Sequence, residues 1–429
     1  MIQAQQAFLR DAMRRLNLTR EAFAERIGSR KRALDAWLLP DESAEFRAMP
    51  EVVRRFVAEI LSRELGASMS TQSVHGAAPQ ADWPGTVHLL SVSQFNRDAV
   101  EALFALADVM QPIARRRKVT RVLEGAVLGN LFFEASTRTR VSFGAAFCRL
   151  GGAVCDTTGF TFSSMAKGES IYDTSRVISG YVDVLVVRHP EQGAVAEFAR
   201  ATHIPVINGG DGPGEHPTQA LLDLYTLQRE FSRIGKLVDG AHIALVGDLK
   251  YGRTVHSLVK LLALYRGLKI SLIAPPALAL PAELVALAAS AGHVIEQTSA
   301  LREGVRGADV VYATRIQKER FGTDETLDGH GADFEVNPAV LAATGKPDTV
   351  VMHPLPRDSR PGSFDLSVDL NTDARLAIFR QTDNGVPVRM ALFAQMLGVD
   401  ALVQRSMRDA TWRSPAQVGV DDALLADEA

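Results

Sequence analysis

Short apolar runs rich in branched residues recur along most of the chain, with stretches of helical period between them. The runs are Val127–Phe133, Val182–Val187, Ile243–Val246, Ile270–Ile273, Val310–Tyr312 and Val350–Met352, each bounded by turn or charged residues. Continuous apolarity, rather than alternation, marks strands buried on both faces, as in a parallel sheet. The intervening stretches Gln219–Gln228, Val255–Tyr265 and Ala282–Ala291 place apolar residues three and four apart and predict helices. Strand alternating with helix predicts α/β architecture.

Two end regions break this rhythm. Residues 1–65 are helix-rich and nearly free of glycine, and residues 66–85 are small, polar and punctuated by Pro and Gly, which predicts a linker. From about Gln404 to Ala429 the periodicity fades and the chain turns acidic, predicting a peripheral tail.

Composition narrows the class. With 47 basic and 50 acidic side chains in 429 residues, the formal charge is −3, so no global positive field marks a general nucleic-acid or membrane-surface binder. No uncharged apolar run approaches the ~20 residues of a membrane span, and the first residues lack the apolar core of a secretory signal. Cys148 and Cys155 form no CxxC pair, which argues against a disulfide scaffold or a Cys-rich zinc site and for a reduced, cytoplasmic setting. Both are expected to be small buried residues.

The most informative stretch is Phe132–Arg140, FFEASTRTR, where an apolar strand hands over to the helical pattern Val141–Leu150. Free N–H groups and the positive end of a helix attract an anion there. Hydroxyls and guanidiniums add donors suited to phosphate. The alternative is a helix cap followed by an exposed basic turn. Arg188 ends an apolar strand, and the carboxyl edge of an open α/β sheet is where ligands bind. Gly209–Gly214 leads into Glu215-His216-Pro217-Thr218-Gln219, where a histidine could polarise a carbonyl oxygen and an amide could meet an amide-like substrate. Ser163–Glu169 is a polar loop bearing Lys167. A dinucleotide site after Ile243–Val246 is excluded because Gly247 and Gly252 lack the GxGxxG spacing.

In this order FFEASTRTR, SSMAKGES, VVRHP and HPTQALLDL resemble the carbamoyl-phosphate half of the transcarbamoylase family, and GDLKYGRTVHSL, TRIQKER and HPLPR resemble its aspartate-specific members. The likeness runs from about Val87 to about Val399. It implies two doubly wound parallel-sheet domains, 86–230 (completed by a helix near 386–402) and 231–385, with 403–429 as a tail. It also implies trimers or multiples of trimers, with active sites shared between neighbours. The implied reaction moves the carbamoyl group of carbamoyl phosphate to the amine of L-aspartate, an early step of pyrimidine synthesis, and needs no metal or cofactor.

By family position Ser136, Thr137, Arg138 and Thr139 hold the phosphate, while Arg188, His216 and Thr137 face the carbonyl oxygen. Gln219 and the carbonyls of Pro354 and Leu355 meet the carbamoyl NH2. Ser163 and Lys167 come from the adjacent subunit, the lysine reaching both substrates, and Arg253, Arg315 and Gln317 bind aspartate. Arg138, Thr137, Arg188, His216 and Lys167 are thus the implied catalytic set. Two guanidiniums suit a dicarboxylate and would repel the cationic side chain of ornithine. Ornithine-specific relatives carry a cysteine where this chain has Pro354. Residues 359–366 exceed the usual family spacing and are expected to form a surface insertion.

Residues 1–65 lie outside the resemblance. Thr19 is expected to cap a helix with apolar Ala22, Phe23 and Ile27, ended by Gly28, and a second short helix to end at Trp37. The spacing is similar to helix-turn-helix modules, with Arg30, Lys31 and Arg32 opening the recognition helix. Twelve basic and ten acidic side chains, a net of only +2, favour a role in assembly over DNA. The competing functions are transfer to another amine, such as ornithine, and a DNA-binding regulator on a transferase body. A separate regulatory chain or a dihydroorotase would be compatible partners.

Overall fold

The computed structural model describes residues 5–15, 18–27, 29–39, 43, 46–50, 53–54, 57, 87–159, 168–315, 331–358 and 365–413. It divides into two units, Met1–Ala78 and Pro79–Ala429.

In the first unit helices α1 (Gln5–Arg15), α2 (Arg20–Arg26) and α3 (Lys31–Trp37) surround their own core of Leu9, Phe23, Ala24, Ile27, Leu34 and Trp37. The Thr19 hydroxyl accepts the Ala22 N–H at 3.3 Å, capping α2. Gly28 lies outside the described residues. Ala24 is buried, and α2 packs on α3.

The second unit holds two parallel sheets. The first has the order β3 (Ala153–Thr158), β2 (Val127–Phe132), β4 (Val184–His189), β5 (Val206–Asp211). The second has the order β10 (Val350–Met352), β9 (Val310–Ala313), β6 (His242–Val246), β7 (Lys269–Ile273), β8 (Val294–Thr298). Both are flanked by helices, as the apolar runs require.

One core cluster joins Leu128, Val184 and Val186 of the first sheet to Ile243, Leu245, Ile270 and Leu272 of the second. The opposite sheet faces have cores of their own. The helices that build the junction are α4 (Arg97–Ala114), α5 (Thr137–Arg149) and α8 (Pro217–Arg233). The long α13 (Ile378–Met396) returns from the second half to pack on all three.

Several expectations need correction. The C-terminal helix starts at Ile378 and contains Pro387, and Asp400–Ser406 forms a further helix, α14. The segment after it is not simply peripheral, because Arg408–Asp409 (β11) pairs antiparallel with Lys118–Val119 (β1). Cys148 and Cys155 are exposed, not buried. Cys148 lies on the outer side of α5, away from Phe143, Ala146 and Phe147, and Cys155 belongs to β3, an edge strand. The end of 359–366 is not surface: Asp365 and Leu366 are buried, and Leu366 bridges to Val336. Residues 359–364 lie outside the described residues.

Candidate functional site

All the site-bearing junctions open at the carboxyl ends of the parallel strands, where the chain leaves a sheet and the next helix presents its free N–H groups. A cavity of about 440 Å³ collects them. From the first half it is lined by Ser136, Thr137, Arg138 and Thr139 after β2, Arg188 on β4, and His216 and Gln219 at the start of α8. From the second half come Arg253, at the first residue of α9 (Arg253–Leu262), Arg315 after β9, and Pro354 and Leu355 after β10. Ser163, Lys167 and Gln317 lie outside the described residues.

Ser136 is the N-cap of α5, but its side chain makes no capping bond. Its hydroxyl and the first N–H groups of α5 therefore converge on the cavity as donors. Burial holds the Arg138 guanidinium somewhat below its usual value. Arg138 stays exposed overall and remains a cation under that shift, with a guanidinium suited to bidentate contact with an anion.

Arg188 and Arg253 meet around a carboxylate that the sequence reading did not assign. Glu134 Oε2 stands 2.9 Å from Arg188 Nη2 and 3.4 Å from Arg253 Nη2. Arg253 Nη1 also donates to the Gly212 carbonyl. The two guanidiniums approach so closely because residue 210 is glycine, with φ +130°. A Cβ there would meet Arg188 Nη1 at 3.0 Å and Arg253 Nη2 at 3.3 Å.

His216 is buried, and its pKa is driven well below the usual histidine value by desolvation and then by Arg253, Arg188 and Arg389. The ring is neutral at physiological pH. Its Nδ1 has no partner among the described residues.

The loop after β10 is set by His353, whose Nδ1 accepts the Leu355 N–H at 2.8 Å. Accepting at Nδ1 leaves the neutral ring's proton on Nε2, which stands 3.5 Å from Asp365 Oδ2. Leu355 takes a left-handed φ of +57°. That conformation costs a non-glycine residue roughly 1–2 kcal/mol.

Beyond Glu134, four buried groups near the site went unread in the sequence. Arg389 on α13 lines the cavity floor against the Phe143 ring, and burial lowers it to about 10. Asp223 on α8 is pushed up to about 6 by burial. Gln381 on α13 lines the cavity and donates to Asp223 at 2.6 Å. Tyr312 on β9 donates to Asp223 at 2.6 Å. Only Glu134 and Asp223 carried a signal, since both fall inside the stretches that resemble the family.

Residues 87–229 match the family model described as aspartate/ornithine carbamoyltransferase, carbamoyl-P binding domain, and residues 239–396 match its Asp/Orn binding domain. The aspartate carbamoyltransferase catalytic subunit of Saccharophagus degradans is 56% identical over 325 residues, 76% of this chain and 96% of the relative. That of Archaeoglobus fulgidus is 45% identical, covering 72% and 99%. Among solved structures, Trypanosoma cruzi aspartate transcarbamoylase in complex with carbamoyl phosphate superposes with a TM-score of 0.67 at 41% identity, covering 74% of this chain and 97% of that one. The same enzyme with carbamoyl aspartate and phosphate gives 0.65 at 41%, covering 75% and 98%. A chain that matches catalytic subunits over almost their whole length, and both domains of the family, belongs to the aspartate/ornithine carbamoyltransferase family, on its aspartate carbamoyltransferase branch.

Proposed function

We propose that the cavity transfers the carbamoyl group of carbamoyl phosphate to the amine of L-aspartate, giving N-carbamoyl-L-aspartate and phosphate. One observation carries the reading: an anion site at the start of α5 and a second pair of guanidiniums, Arg253 and Arg315, open into one cavity from opposite halves. Two separated anion sites fit a phosphorylated donor and a dicarboxylate acceptor.

The roles follow from the chemistry. Ser136, Thr137, Arg138 and Thr139 hold the phosphate. Arg188, Thr137 and neutral His216 donate to the carbonyl oxygen as the aspartate nitrogen attacks its carbon and negative charge grows there. The C–O bond to phosphate then breaks, and the amine proton leaves with the phosphate. Gln219 and the carbonyls of Pro354 and Leu355 accept from the carbamoyl NH2. Arg253 and Arg315, with Gln317, hold the aspartate carboxylates. Most of the rate comes from bringing two anions together and stabilising the oxyanion.

The working assembly is a homotrimer or a multiple of it, with Ser163 and Lys167 supplied by the adjacent subunit. Val141, Tyr172, Val177 and Tyr181 leave apolar surface open on the first half, which supports self-association. Mixing Lys167→Ala with His216→Ala protein after mild dissociation should restore part of the activity, and mixed trimers as dead as their parents would exclude sharing. The exposed thiols of Cys148 and Cys155 suit the reducing cytoplasm. The first unit is read as an assembly module rather than a DNA reader, because Lys31 is paired with Glu21 and Arg20 with Asp35.

Steady-state assays with carbamoyl phosphate and either aspartate or ornithine test the reading directly. Turnover of aspartate alone is expected, and faster turnover of ornithine would overturn it.

A further inference from the structure

Gln219 can accept a hydrogen bond from a carbamoyl NH2 only if its amide presents oxygen, not nitrogen, to the cavity. Something must choose between the two ends. One turn further along α8, Asp223 is buried behind the cavity wall. Its Oδ1 accepts from Gln219 Nε2 at 2.8 Å and from Gln381 Nε2 at 2.6 Å, and its Oδ2 accepts the Tyr312 hydroxyl at 2.6 Å.

An ionised carboxylate accepts and never donates, so each amide that meets it must turn its NH2 inward. For Gln219 that leaves Oε1 toward the cavity. For Gln381 it leaves Oε1 to accept the His353 backbone N–H at 3.0 Å, and His353 in turn holds the Leu355 N–H. One carboxylate on the first half thus fixes an amide in the cavity wall and, through α13, the turn on the second half that carries Pro354 and Leu355.

Burial raises Asp223 to about 6, which still leaves it predominantly ionised at pH 7.5. The charged and titratable groups around it are Tyr312 on β9 and Arg389 on α13, and Arg389 favours the ionised form.

We propose that Asp223 is a positioning residue for carbamoyl recognition: it aims the Gln219 oxygen and, through Gln381, the Pro354–Leu355 turn at the substrate's NH2. The inference rests on the reading of Gln219 and that turn as the groups that accept from the carbamoyl NH2.

The test uses the full chain and two phosphates, carbamoyl phosphate and acetyl phosphate, in which a methyl replaces the NH2. The readout is the preference, the inhibition constant of acetyl phosphate divided by the KM for carbamoyl phosphate. Asp223→Leu removes the acceptor while keeping a side chain branched at the same carbon. Asp223→Ala admits a water, which donates as readily as it accepts and so no longer selects one end of the amide. It serves as the second variant should the leucine protein fail to fold. Either should cut the preference roughly tenfold, the worth of one well-placed hydrogen bond, while acetyl phosphate binds within about twofold of wild type. Asp223→Asn can keep Oδ1 toward both glutamines and turn its NH2 to the Tyr312 oxygen, so it should hold the preference within about threefold.

A merely structural role would weaken both phosphates alike, and that result, or an unchanged preference in a folded Leu or Ala variant, overturns the proposal. Gln219→Leu separates the two levels of the argument. If it leaves the preference intact, the reading of Gln219 fails and the inference with it. If it collapses the preference while the Asp223 variants keep it, the inference alone fails.

Discussion

The two halves of the α/β body meet the cavity with the same device and leave it in different states. Each sends a strand into a helix that begins with an arginine near its first turn: Ser136-Thr137-Arg138 opens α5, and Gly252-Arg253 opens α9. On the first half the donors stand ready. The Ser136 side chain caps nothing, and no hydrogen bond or ion pair of Arg138 is found among the described residues. On the second half Arg253 is only 7% exposed and already engaged, by Glu134 and the Gly212 carbonyl. On the proposed assignment, phosphate meets a pre-organised site, whereas a carboxylate of the second substrate must compete with a carboxylate of the protein. The Glu134 bridge also crosses between the halves, so replacing it loosens one half from the other.

The difference is most exposed at Arg138. If the first half is a finished phosphate site, Arg138→Ala removes a charged donor to the phosphate, worth roughly 3–5 kcal/mol, and should cost two to four decades in kcat/KM. Its fold, read by circular dichroism and melting temperature, should stay within that of the wild type. A variant retaining more than a tenth of wild-type kcat/KM would break the comparison at its stronger end.

Glu134→Gln addresses the other half and should act more weakly. It keeps the shape of the side chain but leaves two largely buried guanidiniums facing each other without a shared counter-ion, and like charges in a partly dry site spread apart. We expect a fall of about tenfold in kcat/KM for aspartate at saturating carbamoyl phosphate, with a smaller change in KM for carbamoyl phosphate. Equal losses for both substrates would mean that Glu134 braces the whole site rather than its aspartate side.

The same contrast explains what could be read from the sequence. The strands buried on both faces, β2, β4, β6, β7, β9 and β10, announced themselves as branched apolar runs. The three other strands of the parallel sheets did not. β3 and β8 are sheet edges whose sequences, AVCDTT and VIEQT, face water at several positions. β5 reads VINGGD, and its glycines look like a loop because the close approach to Arg188 and Arg253 forbids a side chain at Gly210. In the site, residues at strand ends stood out as polar groups after apolar runs. Asp223, Gln381 and Arg389 sit within helices, where a buried polar residue keeps the periodicity of an exposed one and only the packing of α13 on α8 distinguishes the two.

Acid titration sharpens the electrostatic side of the comparison. His216 is held neutral in the folded protein, while the unfolded chain protonates it near 6.5. A depressed folded pKa means that the unfolded state binds the extra proton, so the contribution of His216 to stability is complete above about 6.5 and is lost as pH falls below it. His88, His189, His242, His256 and His353 are displaced the same way by burial. Asp223 acts against them below about 6, where the folded protein takes up a proton before the unfolded one does. Denaturant unfolding at pH 7.5 and pH 5.5 should show a loss of stability that is smaller in His216→Asn by up to about 1.4 kcal/mol per pH unit. An identical pH slope in the two proteins would mean that His216 titrates alike in the folded and unfolded chain, against the depressed value.

The smallest effect is expected from the region none of whose described residues lines the cavity. Among the described residues, those lining it all lie at or beyond Glu134, and Met1–Ala78 is a compact unit with a core of its own around Phe23, Leu34 and Trp37. At the start of α3, Lys31 is tied to Glu21, and Arg20 is tied to Asp35 near its end. Exposed pairs of this kind add little stability, but they occupy Lys31 and Arg20, and the run Arg30, Lys31 and Arg32 is too short for the phosphate contacts that make non-specific DNA binding strong. Removing residues 1–80 should therefore keep the KM for carbamoyl phosphate within about threefold, a change below ~1 kcal/mol, while changing the number of subunits per particle measured by light scattering, or partner binding. Well-folded truncated trimers without activity would tie the first unit to the chemistry. A salt-sensitive, sequence-selective shift of duplex DNA by the full chain, abolished by Arg30→Ala, would instead make α3 a reader of DNA and overturn the assembly role.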